Sequence, residues 1–226
     1  SPRVAPLFLG RGKVTPGPPR IGGGQHQDAE LSLPLHSYFA MDHVERVARD
    51  VIVEAGRHLR SAWRDHKHIE FKGPVDLVTA TDREVEAIVT SRLRTAFPDH
   101  LIVAEEGSGS APLTPPPAER FTWYLDPLDG TVNFAHSVPH FAISLALARG
   151  TDLLLGIVHD PMREETFVAN RGHGATLNGQ PIHVSEESAL AHALLSTGFP
   201  YDRRTQRDFY LGFFADFLER ARDIRR

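Results

Sequence analysis

The sequence predicts a layered α/β fold, and three observations carry that expectation. Two segments in the first half repeat apolar residues at helical spacing. Residues 141–148 alternate large and small side chains with a period of two. Further apolar runs follow closely, and Asn178-Gly179 marks a tight turn, so neighbouring strands are expected to be antiparallel rather than parts of a simple doubly wound sheet.

The bulk properties narrow the class. The chain has 226 residues, 41% of them hydrophobic and 24% charged, which suits one domain with a sizeable core. A net charge of −4 argues against a dedicated nucleic-acid binder. No apolar run approaches the roughly eighteen residues of a membrane helix, so no membrane partner is expected. There is no cysteine, which excludes disulfides, a thiol nucleophile and thiolate metal ligands. Any metal must sit on oxygen or imidazole, and a reducing, cytoplasmic location is the default expectation.

Taken in order, residues 1–40 are expected to be a disordered basic tail. Ser1 to Gly24 holds five prolines, six glycines, four basic residues and no acidic one, too little apolar surface to offset ordering entropy. Val4 to Leu9 is broken by Pro6 and too short for a signal-peptide core. A domain is expected over 41–226. Its first helix runs through Val44, Val47, Ala48, Val51, Ile52, Ala55, Leu59 and Ala62 to about Trp63, and a polar connector, Arg64 to His68, follows. A second helix fits Asp82 to Phe97, stopped by Pro98, with Thr81 as N-cap because Thr81 and Glu84 have capping-box spacing. Strands are expected at Leu101 to Ala104, Phe121 to Leu125, Phe141 to Ala148, Leu153 to His159 and Glu165 to Asn170. Ala111 to Ala118 is a Pro-rich loop, and Gly172-His-Gly174 a turn. A last helix spans about Arg204 to Arg222, with Phe209, Phe213, Phe214, Phe217 and Leu218 stacked on one side as core or subunit contact.

The chemistry concentrates in Trp123-Tyr-Leu-Asp-Pro-Leu-Asp-Gly-Thr-Val-Asn-Phe134. An apolar strand delivers Asp126, Pro127 keeps the exit extended, and Asp129 follows. Gly130 and Thr131 then open a short helix. Two neighbouring carboxylates repel each other unless one is protonated or a cation lies between them. Hard oxygen ligands favour Mg²⁺, often completed by phosphate oxygens, and a glycine-led helix start offers backbone N–H groups to an anion. A calcium loop is excluded by Leu128 and Pro127, an aspartyl-phosphate nucleophile by the three-residue spacing, and neither a P-loop nor a Gly-x-Ser-x-Gly elbow is present. Asp-Pro and Asp-Gly are also common turn chemistry, so this segment alone leaves a solvated turn open.

Two other junctions bear acids: Ile102-Val-Ala-Glu-Glu-Gly107, with Glu105 and Glu106 after a strand, and Asp76-Leu-Val-Thr-Ala-Thr-Asp82, with Asp82 at a helix start. Asp65, His66 and His68 read as a solvated connector rather than a metal cluster.

These three segments, in order and spacing, resemble the inositol monophosphatase family. Gly156-Ile-Val-His-Asp-Pro161, Arg171-Gly-His-Gly-Ala175, Leu177-Asn-Gly-Gln180 and Thr197-Gly-Phe-Pro-Tyr-Asp-Arg203 add to the likeness, the last in bacterial style. The resemblance covers about Met41 to Arg226. It implies a layered αβαβα sandwich of the inositol monophosphatase and fructose-1,6-bisphosphatase type. It further implies that Glu105, Asp126 and the main-chain carbonyl of Leu128 bind one Mg²⁺, and that Asp126 and Asp129 contribute to a second, in a family site of two or three ions. By the same likeness Thr131 and Asp82, with Glu105, orient and deprotonate the attacking water. The N–H groups of Gly130 and Thr131 hold phosphate, and Asp129 touches a substrate hydroxyl. A homodimer and lithium inhibition are implied as well.

The chain departs from the family pattern by stopping before a Gly-Ser-Ala-containing helix and a Trp-Asp-x-Ala-Ala-Gly motif, whose aspartate completes the second metal site. From this and the serine start, a fragment or incomplete gene model is expected, with weaker second-ion binding and uncovered sheet edges. The expected activity is Mg²⁺-dependent hydrolysis of a small phosphate monoester, inositol 1-phosphate first. Histidinol phosphate, fructose 1,6-bisphosphate and adenosine bisphosphate are rival substrates. A catalytically weak member acting as a binding or regulatory protein is the alternative from another class.

Overall fold

The structure is a computed structural model that describes residues 35–64, 69–71, 77–105 and 119–225. Residues 1–34 of the tail expected over 1–40, connector residues 65–68 with Asp65, His66 and His68, Asp76, Glu106 and the Pro-rich loop 111–118 lie outside the described residues. The chain divides into two compact units, His36–His183 and Ser1–Leu35 with Val184–Arg226.

In the larger unit, α1 (Leu35–Arg64) begins ahead of the expected start near Met41. Ala48, Ile52, Ala55 and Leu59 expose no surface, the stripe that a period of 3.6 places on one face. Strands β1 (Ile69–Phe71) and β2 (Leu77–Thr79) pair antiparallel. β2 passes directly into α2 (Ala80–Ala96), with Val85, Val89 and Leu93 fully buried. The N-cap expectation is corrected here. Because the chain turns into the helix at Ala80, Thr81 lies buried inside the first turn, and any capping position precedes it.

Seven strands form one sheet in chain order: β3 (Leu101–Ala104), β4 (Phe121–Asp129), β5 (Ala142–Arg149), β6 (Asp152–Asp160), β7 (Glu165–Asn170), β8 (Gly174–Leu177) and β9 (Gln180–Ile182). β3 and β4 run parallel, and every other neighbouring pair is antiparallel. A short helix α3 (Thr131–Ala135) separates β4 from β5. Register puts the large side chains on one face: Leu125 opposes Leu145, Leu145 opposes Ile157, and Ile157 opposes Val168. These belong to one buried cluster with the inner faces of α1 and α2, centred on the fully buried Trp123. Each such side chain contributes about 1.5–3 kcal/mol on burial. The other face carries Ala142, Ser144, Ala146 and Ala148, as the alternation predicts. Asn178 and Gly179 both take positive φ, 49° and 79°, and make the expected tight turn between β8 and β9.

Helix α1 approaches β6 closely at Gly56. A β-carbon there would lie 2.4 Å from Cδ2 and 2.5 Å from Nε2 of His159. His159 is 5% exposed, its Nδ1 is hydrogen-bonded to Thr166 Oγ1 at 2.9 Å, and burial holds its pKa below the ordinary value.

The smaller unit contains two single-turn 3-10 helices (Leu190–His192 and Tyr201–Arg204), β10 (Leu194–Ser196), α4 (Arg207–Arg220) and β11 (Asp223–Arg225), with β10 parallel to β11. Of the two expectations for the phenylalanine stripe, core or subunit contact, the first is corrected. α4 buries none of its residues, and Phe209 and Phe213 are 60% and 54% exposed. A two-stranded ladder offers too little apolar surface within this unit to cover a helix face. No helix among the described residues is long and apolar enough to cross a membrane.

Candidate functional site

The site is assembled where β3 ends beside the second half of β4. Ala104 is the register partner of Leu125, so Glu105, the first residue past β3, lies beside Asp126, which sits within β4 because that strand runs on to Asp129 rather than ending at the expected Leu125. The N–H of Glu105 donates to the carbonyl of Leu125 at 3.3 Å. Glu105 is exposed and Asp126 half-buried.

Beyond Asp126 the β4 ladder slips. Asp126 opposes Ser144 and Asp129 opposes Ala142, with Pro127 and Leu128 taken up in an irregularity. Such a bulge re-aims side chains at a strand end. Leu128 buries its side chain in the core at 2% exposure, while its N–H donates to Asp126 Oδ1 at 3.1 Å. Its carbonyl accepts the Thr131 hydroxyl at 3.0 Å. Asp129 points outward.

Gly130 follows in the left-handed region at φ +94°, where a β-carbon would lie 3.1 Å from the carbonyl oxygen of His140. α3 starts at Thr131, and the first N–H groups of a helix have no intrahelical acceptor. Thr131 Oγ1 also lies 3.4 Å from Oδ1 of Asp82, which α2 holds at 1% exposure. One hydroxyl proton therefore faces two acceptors.

The electrostatics join these acids. The Asp126 carboxyl is pushed up from an ordinary 3.8 to about 7, first by burial, then by the charges of Glu105 and Asp129, with Asp82 adding a smaller push. The Leu128 N–H opposes the shift. Among the described residues, no group of three His, Asp or Glu side chains is gathered into a ready cage for an ion. The donor chemistry nevertheless fits a hard divalent cation. A carboxyl that like charges drive toward neutrality near pH 7 is one that a cation would return to its ionised, ligating form.

The structure thus brings Glu105, Asp126, Leu128 and Asp129 to one sheet edge, and Asp82 to Thr131. Reading the sequence did not single out Asn133 or His140, which flank the same turn: Asn133 Nδ2 donates to the His140 carbonyl at 2.8 Å. The Asn133-Phe134 pair closing the acidic segment was the available signal.

The model of the inositol monophosphatase family matches residues 40–224. The chain is 42% identical over 158 residues to the inositol-1-monophosphatase of Synechocystis sp., covering 70% of this chain and 54% of that protein. It is 43% identical over 160 residues to the Nus factor SuhB of Pseudomonas aeruginosa, covering 69% and 57%. The solved extragenic suppressor protein suhB from Bartonella henselae superposes with a TM-score of 0.74 at 30% identity, covering 81% of this chain and 70% of that one. The IMPase of Thermotoga maritima gives 0.70 at 34% identity, covering 81% and 67%. The chain spans little more than half the length of the curated relatives it matches, 54% and 57% in the two cases given.

Proposed function

The chain belongs to the inositol monophosphatase family, and from that premise we propose that it serves a Mg²⁺-dependent phosphomonoesterase acting on a small phosphorylated polyol, inositol 1-phosphate before histidinol phosphate or fructose 1,6-bisphosphate. The observation that carries this reading is the Asp126 carboxyl, raised to about 7 beside Glu105, Asp129 and Asp82. A free surface turn would leave the Asp126 carboxyl in water; β4 keeps it half-buried, where the charges of Glu105, Asp129 and Asp82 act on it, which supports the reading.

In this reading Glu105, Asp126 and the Leu128 carbonyl hold one Mg²⁺, and Asp126 with Asp129 contributes to a second. Bound Mg²⁺ supplies Lewis acidity, neutralising phosphate charge and making water easier to deprotonate. The remaining work falls to the chain's own groups. Thr131 and Asp82, 3.4 Å apart, orient the attacking water with Glu105 and receive its proton. The N–H groups of Gly130 and Thr131 bind phosphate oxygens, and Asp129 accepts a hydrogen bond from a substrate hydroxyl. A general base alone supplies about 10²–10⁴-fold, far short of the up to ~10²¹-fold known for phosphate monoester hydrolysis, so the acid cluster is essential to the proposal. The family likeness also supports a homodimer, lithium inhibition and, with the absence of cysteine, a cytoplasmic setting.

The test is phosphate release from the three esters, with and without Mg²⁺, by the intact protein that carries this chain. Mg²⁺-dependent turnover lost in Asp126→Asn is expected. Turnover that survives that substitution overturns the metal assignment. A binding or regulatory role is the second reading, favoured by the likeness to a protein named as a Nus factor. A folded, intact protein that hydrolyses none of the esters would select it.

A further inference from the structure

We infer that Asn133 is a positioning residue, holding the Asp129-Gly130-Thr131 turn in shape through the carbonyl of His140. The inference rests on the phosphatase reading above and deepens it by adding a residue that acts on Thr131 and Asp129 without being assigned to metal or phosphate.

Asn133 closes the loop after α3 from both of its polar ends. Its main-chain carbonyl accepts the N–H of Val138 at 2.8 Å, and its Nδ2 donates to the carbonyl of His140 at 2.8 Å. Inside the loop that the first bond closes the chain turns sharply, with Ser137 at φ +61°. The His140 carbonyl so fixed is the atom that lies 3.1 Å from where a Gly130 β-carbon would stand, and Cα of Phe141 lies 3.3 Å from the same point. The loop therefore forms a wall against Gly130.

The wall is braced on its other side. Arg163 Nη1 lies 3.1 Å from His140 Nδ1. Arginine can only donate, so this contact uses Nδ1 as the acceptor. Arg163 is itself paired with Asp160, which is 8% exposed and accepts the N–H groups of Met162 and Arg163 at 2.8 and 3.0 Å. Below the loop, Phe141 packs edge-on against the fully buried Phe134, with ring centroids 5.1 Å apart. His140 is thus tethered by its carbonyl to α3 and by its ring to the β6–β7 turn.

What this wall restrains is the most permissive residue in the turn. Glycine has more backbone freedom than any other residue, and Gly130 joins Asp129 to Thr131. Rotation there would carry the Thr131 hydroxyl away from both Leu128 and Asp82. Misplacement by about 1 Å at a reacting centre can cost about 100-fold in rate. The side chain must be a donor of this shape, because a carboxylate would set negative oxygen against the His140 carbonyl.

Asn133→Asp and Asn133→Ala in the intact protein test this. In both, kcat is expected to fall about 10- to 100-fold, with KM and the Mg²⁺ concentration for half-activation rising as well, because Asp129 and the N–H groups of Gly130 and Thr131 move with the turn. A crystal structure of Asn133→Asp should show Thr131 Oγ1 withdrawn from the Leu128 carbonyl. Wild-type kcat in Asn133→Asp, a kcat loss no larger than the loss of folded protein, or an unmoved Thr131 overturns the inference. If the wild-type protein hydrolyses no ester, the phosphatase reading fails by itself, and the position of Thr131 in that crystal structure still decides the role of Asn133.

Discussion

Thr131 and Asp82 meet at 3.4 Å from the first turns of two different helices, although 49 positions separate them in the chain. The contact gives the hydroxyl a buried carboxylate as an alternative to the Leu128 carbonyl at 3.0 Å.

If this pair handles the proton of the attacking water, Thr131→Val should lower kcat by about 10²–10⁴-fold. The accompanying loss of stability should be about 0.5–1.5 kcal/mol for one hydrogen bond. Thr131→Ser should retain most of the activity. Steady-state kinetics with a urea titration checks the set, and a Thr131→Val enzyme of normal kcat refutes the role.

The raised Asp126 carboxyl fixes the sign of a pH dependence. Its folded value, about 7, lies above the ordinary 3.8, so the folded state binds this proton more tightly than the unfolded state does. The contribution to stability is full below about 3.8 and is lost as pH rises to about 7. In EDTA, urea midpoints measured from pH 4 to 8 should move in favour of Asp126→Asn over wild type as pH increases. Added Mg²⁺ should stabilise wild type most near and above pH 7, and Asp126→Asn far less. A difference curve of opposite slope, or equal Mg²⁺ stabilisation of both proteins, contradicts the assignment.

Gly130→Ala places a β-carbon at φ +94° and 3.1 Å from the His140 carbonyl. The expected destabilisation is about 1–3 kcal/mol, with kcat reduced because Thr131 moves. Thermal melting together with kinetics reads both effects, and an unchanged melting temperature would show that the loop yields freely.

Gly56→Ala forces the buried His159 ring away from α1, since the new carbon would meet it at 2.4 Å. Moving the ring also strains its bond to Thr166. Overpacking of this kind costs about 1–3 kcal/mol. Differential scanning calorimetry should show the loss, while kcat at a temperature well below the transition stays near wild type.

The long elements and the acids at their ends were legible because each carries its own signal. The alternation over 141–148 became β5, Glu105 directly follows β3 and Asp82 lies in the first turn of α2, whereas Asp126 sits inside β4, just ahead of its bulge. Three-residue strands such as β1, β9 and β11 are too short to show a period and went unread. Thr81 had the letters of a cap, but the start of the helix depends on where β2 releases the chain. The α4 phenylalanines had the spacing of a core face, yet spacing cannot say whether a covering layer exists. The tie from Asn133 to His140 spans seven residues of irregular loop, where no periodic pattern could announce it. The meeting of Thr131 with Asp82 was expected only from family likeness, since a separation of 49 residues is invisible to any local rule.

The parallel pairing of β3 with β4 has a topological consequence for the acids. A hairpin between these strands would have carried Glu105 and Asp126 to opposite rims; only a crossover returns the chain so that both exit on one side. The two acids therefore stay neighbours as long as Ala104 faces Leu125 across the ladder, whatever sequence joins the strands. A single residue inserted within β3, by contrast, would shift Glu105 out of step with Asp126.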